Sequence, residues 1–498
     1  MGPRTGGSPH LAARENARWW YPCTMDWFAA SEYWLSRLVL QRALAGIYLV
    51  AFVSAALQFR ALIGSRGLTP VPVFVRRVPF RASPSVFHWR YSDRLFAACS
   101  WAGAALAAAV AAGAADAVPL WLSMLMWAAL WLLYLSIVNV GQLWYGFGWE
   151  SLLLETGFLA IFLGNAETAP PVLVLWLLRW LLFRVEFGAG LIKWRGDRCW
   201  RELTCLDYHH ETQPMPGPLS WFFHRLPKPL HRVEVAANHV AQLVVPFGLL
   251  LPQPVATFAA AAVVVTQLWL VLSGNFSWLN WLTIVLAVSA VDSSPLAAPP
   301  SYGETPVWFT VLVCAVTAVM VVLSYWPVRN MVSRRQQMNA SFNTLHLANT
   351  YGAFGSVTRL RHEIVIEGTD EERLTEDTRW WEYEFKGKPG DVSRMPRQFA
   401  PYHLRLDWQM WFAALSPGYA LGWFEPFVAR LLEGDRDTLR LLRRNPFPQS
   451  PPRHVRALLY RYRFTTWQER RETGDWWHRT LVREYLPPVA ALPAPEPD

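Results

Sequence analysis

Five cysteines in 498 residues are too few to staple a fold. Cys99 and Cys314 lie inside apolar runs, and only Cys199 and Cys205 stand close enough in sequence to suggest a bridge. Charge is scarce as well: Asp, Glu, Lys and Arg make up 17% of the chain, against about a quarter in soluble domains. There is no G-x-S-x-G elbow, no Walker loop, no G-x-G-x-x-G and no H-E-x-x-H, which disfavours standard hydrolase and nucleotide chemistry. No short apolar core with a cleavage site precedes Trp34. A removable signal peptide is therefore not expected, and the first long apolar run is read as the insertion signal.

What the chain has is apolar surface. Hydrophobic residues reach 53%, with 29 Trp and a mean hydropathy of +0.15, too apolar for a soluble enzyme of this size. The net charge of +9 comes from Arg residues scattered among Trp-rich segments with no nucleic-acid motif. The expected partners of those residues are lipid headgroups, not nucleic acid. At roughly 20 residues per crossing, candidate spans fall at 38–59, 95–114, 119–139, 150–165, 170–193, 236–252, 254–273, 277–291 and 306–326.

From about Asn330 long apolar runs stop, and His362–Glu367, Trp381–Phe385 and Val455–Phe464 alternate like half-buried strands. The expected architecture is an α-helical multispan membrane bundle of about eight or nine helices with a C-terminal β-rich, sandwich-like soluble domain. Its parts are an N-terminal tail 1–35, a membrane domain 36–328 with a charged loop 193–235, the soluble domain 329–487 and a disordered tail 488–498. Four spans separate the Arg-rich loop 60–94 from the loop that begins at Lys193, and four more lead to the soluble domain. By parity all three lie on one side of the membrane.

The densest chemistry surrounds the end of the fifth span. Arg179, Glu186 and Lys193 recur every seven residues, which keeps them on one helical stripe, while Gly188 and Gly190 allow close packing. Two readings follow: an ion-paired polar seam inside the bundle, or a Lys193 base activated by desolvation. Beyond it Cys199 and Cys205 precede Tyr208-His209-His210-Glu211, a spacing that matches no zinc pattern, so no metal site is expected. In the soluble part Asp407, Trp408, Trp411 and Phe412 share one helical face, which reads either as core or as a partner-binding surface.

Four motifs carry a resemblance: GWESLLLETGFL (148–159), GDRCWRELTCLDYHHETQPMPGPLSWFFH (196–224), NTYGAFGSVT (349–358) and KPGDVSRMPRQFAPYHLRLDWQMWFAAL (388–415). In this order they strongly resemble the lipase maturation factor family, and the Ala- and Arg-rich composition looks like that of a bacterial relative. The resemblance implies a non-enzymatic, chaperone-like factor without a cofactor. It would sit in the endoplasmic reticulum membrane, or in the cytoplasmic membrane of a bacterium, and assist folding and export of a secreted client, by resemblance a lipase. The client would be held outside the cytoplasm by the C-terminal domain through Asp407, Trp408, Trp411 and Phe412. Basic loops would favour the opposite orientation, whereas the resemblance implies an extracytoplasmic C-terminal domain. A second, shorter likeness links Ala189-Gly190-Leu191-Ile192-Lys193 to vitamin K-dependent γ-carboxylases. That likeness implies a membrane enzyme with Lys193 as base beside His209, His210 and Glu211.

Overall fold

The computed structural model describes residues 27–490. Among the described residues nine helices of ten or more residues make up most of the first part: α1 Trp34–Leu62, α2 Asp93–Ala112, α3 Leu120–Val140, α4 Gly148–Ala160, α5 Val172–Arg195, α6 Lys228–Leu243, α7 Val255–Ser273, α8 Leu279–Val288 and α9 Val307–Leu323. Their ends follow local chemistry. The Ser92 side chain accepts from Leu95 N to cap α2, which stops at Gly113 with φ of 114°, a left-handed position that glycine adopts without a Cβ penalty. Pro119, Pro171, Pro227, Pro254 and Pro306 stand at the N-caps of α3, α5, α6, α7 and α9, where a residue without an N–H starts a helix but cannot extend one backwards.

Among the described residues five helices are long and apolar enough to cross a membrane: Ser31–Leu62, Asp93–Ala112, Leu120–Val140, Val255–Ser273 and Val307–Val332. The chain is a mostly helical multi-pass membrane protein with a small C-terminal sheet. Among the rest, α5 has the length but carries Arg179, Arg184, Glu186 and Lys193, all buried.

Contacts define two ends of the bundle. At one, Ala30 N donates to Pro170 O at 2.9 Å, Gln253 Nε2 donates to the Tyr33 hydroxyl and to Ala290 O, each at 2.9 Å, and Arg42 pairs with Asp116 at 3.0 Å. At the other, Gln58 Nε2 donates to His403 O at 2.7 Å and Arg361 Nη2 to Pro214 O at 3.0 Å. The loop after α5 and the C-terminal region therefore share one end, the domain end. Parity counting along the sequence led to the same grouping.

Two expected spans shift. The sixth, 236–252, is preceded by helix from Lys228, and α6 ends at Leu243 ahead of Pro246. The fourth stops at Ala160. The charged loop 193–235 is largely helical, with short helices Arg198–Arg201, Leu206–Thr212 and Ser220–His224 before α6.

The C-terminal region holds strands β1 Arg361–Thr369, β2 Trp381–Glu382, β3 His454–Phe464 and β4 Trp477–Ala490, with helices α10 Arg405–Leu415 and α11 Phe424–Leu432. The strands form one antiparallel sheet in the order β2-β1-β3-β4, with Ile364 opposite Leu459 and Phe464 opposite Trp477. Among the described residues there is no second sheet to complete a sandwich. One face, with Ile364, Ile366, Val455, Ala457 and Leu459, joins the main core. On the other, Val365, Tyr462, Phe464 and Trp477 pack with Trp221 from the loop after α5. Helices and a membrane-domain loop cover what a partner sheet would have covered.

Gly434 (φ 66°) separates α11 from the short helix Arg436–Leu439. Strand β4 runs to Ala490, so residues 488–490, expected in a disordered tail, are ordered edge strand. The N-terminal tail up to residue 26, including Cys23, and the tail from 491 lie outside the described residues.

Candidate functional site at the bundle-domain junction

The domain end brings the four motifs together around three buried acids. Glu155, on α4, ion-pairs with Arg184 of α5, both fully enclosed. It also accepts from Asn349 N and Nδ2 at 3.0 Å each and from the Tyr351 hydroxyl at 2.8 Å. Arg184 Nη1 returns a hydrogen bond to Asn349 O at 2.7 Å. The NTYGAFGSVT motif is thus threaded onto the acid of the GWESLLLET motif. A carboxylate in an apolar helix is retained only when its charge and lone pairs are met, and here every partner but Arg184 comes from the distant motif.

Glu150, five residues earlier, is met by the Tyr134 hydroxyl and by Arg405 Nη1 at 2.7 Å, both ion-pair side chains having no exposure. Arg405 opens α10. Its guanidinium lies 3.6 Å from the Tyr145 ring centroid and donates to Trp144 O at 2.6 Å. His403 is enclosed by Phe147, Trp149, Trp278 and Trp408 with centroids 4.8 to 6.1 Å away. Burial pushes its imidazole down to about 4.

Glu363 in β1 pairs with Arg361 at 2.6 Å and Lys388 at 2.9 Å. Arg361 spends its other donors on Glu211 O at 3.0 Å and Pro214 O at 3.0 Å, clamping the loop after α5 to the sheet. From that loop Trp221 Nε1 donates to Thr465 O at 2.9 Å, and Trp200 Nε1 donates to Phe354 O at 2.8 Å. Cys199 and Cys205 are joined in a disulfide with Cα atoms 4.8 Å apart, bracing the turn that presents Trp200.

The expected seam of Arg179, Glu186 and Lys193 is not a linked chain of ion pairs. Seven residues of helix put successive members about 10.5 Å apart, so none of the three pairs with the next. Lys193 Nζ donates to Asn238 Oδ1 and Gln242 Oε1 of α6 at 2.9 Å each. Glu186 accepts from Gln267 of α7 at 2.6 Å, whose own amide oxygen accepts from Asn280 of α8 at 2.7 Å. Arg179 lies toward the opposite end, between the rings of Tyr33 and Trp176.

The alternative catalytic set is likewise divided. The His209 ring stands edge-on to Phe354 at 4.7 Å and burial pushes it down to about 3. His210 stacks on Phe223 at 5.5 Å, and desolvation holds it well below the usual imidazole range. Glu211 turns to the sheet and accepts from Phe464 N at 2.7 Å; burial raises its carboxyl. Among the described residues no cluster of three or more His, Cys, Asp or Glu side chains is placed to hold a metal.

The proposed client face of α10 is internal. Asp407 is 1% exposed and Trp408 5%. Asp407 Oδ1 accepts from Gly387 N at 2.6 Å and Lys388 N at 3.1 Å, fixing the turn that delivers Lys388 to Glu363. Trp411 Nε1 donates to Thr212 O at 3.1 Å, and half-buried Phe412 packs near Phe147 and Tyr419. Of the two readings the pattern allows, core packing describes Asp407 and Trp408, whereas Trp411 and Phe412 are half-buried.

Sequence reasoning missed Glu150, Glu155, Arg361, Glu363, Lys388 and Arg405. The signal was present for the first two, as acids five residues apart in an otherwise apolar helix, a costly placement unless each is paired. Taken together, the junction offers charge neutralisation and close packing between two parts of one chain.

Residues 35–298 match the lipase maturation factor transmembrane domain and residues 347–487 the lipase maturation factor C-terminal domain. Among curated proteins the chain is similar to lipase maturation factor 1 of Bos taurus, 41% identical with 93% of this chain and 90% of that protein covered. Lipase maturation factor 1 of Homo sapiens is 41% identical over 92% of this chain and 88% of its own length. Lipase maturation factor 2 of Homo sapiens is 30% identical over 92% and 83%. No solved structure matches.

Proposed function

The chain belongs to the lipase maturation factor family, and from that premise we propose that it is a membrane-anchored maturation factor that assists folding, assembly and export of a secreted lipase. The observation that carries the reading is that both family domains match in order, over nearly the whole chain, while the residues of the four motifs serve one docking junction. Binding and positioning, not bond chemistry, is the activity this arrangement supports. The working units are a membrane domain, about 36–328, and a C-terminal domain, about 329–487, held as one body.

We read all nine helices as membrane-embedded, because α4, α5, α6 and α8 run between the same two ends as the five long apolar ones. The C-terminal domain is assigned to the extracytoplasmic side, the reticulum lumen in a eukaryote. The Cys199–Cys205 disulfide supports this, since it sits at the domain end and such bonds persist on oxidising sides of membranes. The test is co-expression of a dimeric secreted lipase in cells lacking their own factor. The full chain should raise secreted lipase activity, and a version ending at residue 346 should not. Equal secretion with and without the full chain would end the proposal.

A further inference from the structure

At the end of the bundle away from the C-terminal domain, Arg179 is 5% exposed. Its Nε reaches Ser289 O at 3.5 Å, and its guanidinium lies 5.1 Å from the ring centroids of both Tyr33 and Trp176. No ion pair to a carboxylate among the described residues neutralises it. The other buried cations met so far, Arg184, Arg361, Lys388 and Arg405, each have an acid, and Lys193 has two amide oxygens. Arg179 instead lines a cavity of about 300 Å³ bounded by Tyr33, Trp176, Leu250 and Gln253. Trp176 is also a wall of a second hollow, about 700 Å³, that follows α5 and α9 past Leu177, Trp180, Val321 and Tyr325. A largely apolar chamber that holds a cation without an acid partner among the described residues thus shares a wall with a long apolar groove.

We propose that these two cavities form one phospholipid site, with the phosphodiester on Arg179 and an acyl chain along the α5–α9 groove. Charge complementarity selects the headgroup. A guanidinium that far inside a helix is costly without a counter-charge, and its planar fork matches phosphate oxygens in two-point contact. Among the described residues only the Nε of Arg179 makes a hydrogen bond to protein, which leaves its terminal nitrogens for a ligand. Tyr33 and Trp176 are the amphipathic rings expected at headgroup depth. Arg179 stands seven residues inside the first residue of α5, about 10 Å along the axis, the depth at which a long basic side chain reaches the headgroup boundary. The apolar lining of the neighbouring groove selects a tail over a free anion. The site lies in the leaflet opposite the C-terminal domain.

The test uses the full chain, purified in mild detergent and exhaustively delipidated, with bound phosphorus counted per chain. It is then titrated with dioleoyl-phosphatidylglycerol, dioleoyl-phosphatidylcholine and inorganic phosphate while the melting temperature is followed. The wild type is expected to retain about one phospholipid and to be stabilised by both lipids but not by inorganic phosphate, since a headgroup without its tail forfeits the groove. Arg179→Gln should weaken lipid binding about tenfold or more. Thr317→Trp, which fills the groove wall on α9 and leaves Arg179 untouched, should lower retention too, and keeps the test valid if Arg179→Gln fails to fold. An exposed control, Arg90→Gln, should bind as the wild type does. Undiminished lipid retention in Arg179→Gln or in Thr317→Trp would overturn the site. Equal stabilisation by inorganic phosphate would overturn the lipid as its ligand.

Discussion

Replacing Arg405 with Met removes a guanidinium that no water can replace. Its carboxylate partner Glu150 is fully enclosed, and without Arg405 that carboxylate keeps the Tyr134 hydroxyl and the His403 ring, 3.7 Å away, but no cation that is charged at neutral pH. Breaking a buried ion pair from one side costs about 3–5 kcal/mol, because the remaining charge stays buried and uncompensated. Loss of the cation over the Tyr145 ring adds up to about 2 kcal/mol when the pair is dry. Against a typical total stability of about 5–15 kcal/mol, Arg405→Met should leave the C-terminal domain loosely docked or the chain degraded. Glu150→Gln should be milder, since the amide keeps a hydrogen-bond acceptor for Arg405. The double variant Glu150→Gln/Arg405→Met leaves no buried charge and should recover about 0.5–3 kcal/mol relative to the sum of the singles. Limited proteolysis of the detergent-purified protein reads this directly, because the exposed segment around 334–346 joins the two parts. Cleavage there should accelerate in Arg405→Met and slow again in the double variant. Wild-type cleavage and melting temperature in Arg405→Met would refute the claim that this pair holds the junction.

Acid should loosen the protein near the lower edge of physiological pH. Burial lowers His209 to about 3, His224 and His403 to about 4, and His210 as well, so unfolding takes up protons between about pH 4 and 6.5 and stability falls as pH drops through that window. The raised carboxyls of Glu211 and Asp407 act in the opposite sense only near the carboxylate range; a melting temperature unchanged from pH 7.5 to 5.5 would contradict this. Cys199→Ser with Cys205→Ser opens a loop whose ends are 6 residues apart and should cost about 2 kcal/mol by loop entropy, seen as a lower melting temperature that reductant mimics in the wild type. Gly188→Ala would set a Cβ 2.5 Å from Tyr351 O, a backbone atom, whereas Gly46→Ala meets nothing within 4 Å. The first should lose about 1–3 kcal/mol to overpacking and fall in abundance, while the second should be expressed like the wild type.

The helices were legible because a membrane imposes a length and a polarity that a sequence displays residue by residue. α1, α2, α3 and α7 fall within a few residues of the apolar runs that announced them. Strand β1 was legible from alternation. Strand β4 was not: its residues Arg479, Arg483, Pro487 and Pro488 are those used to protect a sheet edge, and they mask the pattern that would reveal a strand. The break in the expected sixth span came from Pro246, an interruption that hydropathy averaging smooths away.

The site was harder because spacing reports only neighbours on one element. Arg179, Glu186 and Lys193 do share a stripe, as period seven requires, yet that period also holds them a full two turns apart, too far to pair. Each must look across the bundle, and nothing in the local sequence says where. The partner of Glu155 lies 194 residues away at Asn349, and the partner of Glu150 lies 255 residues away at Arg405. A charge in an apolar helix therefore announces that a contact exists without identifying it. Where one partner lies in the bundle and the other in the C-terminal domain, neither half is complete alone. The dense motifs are then best explained as the two sides of a joint, and substitutions within them should weaken docking before they affect any surface that a client could touch.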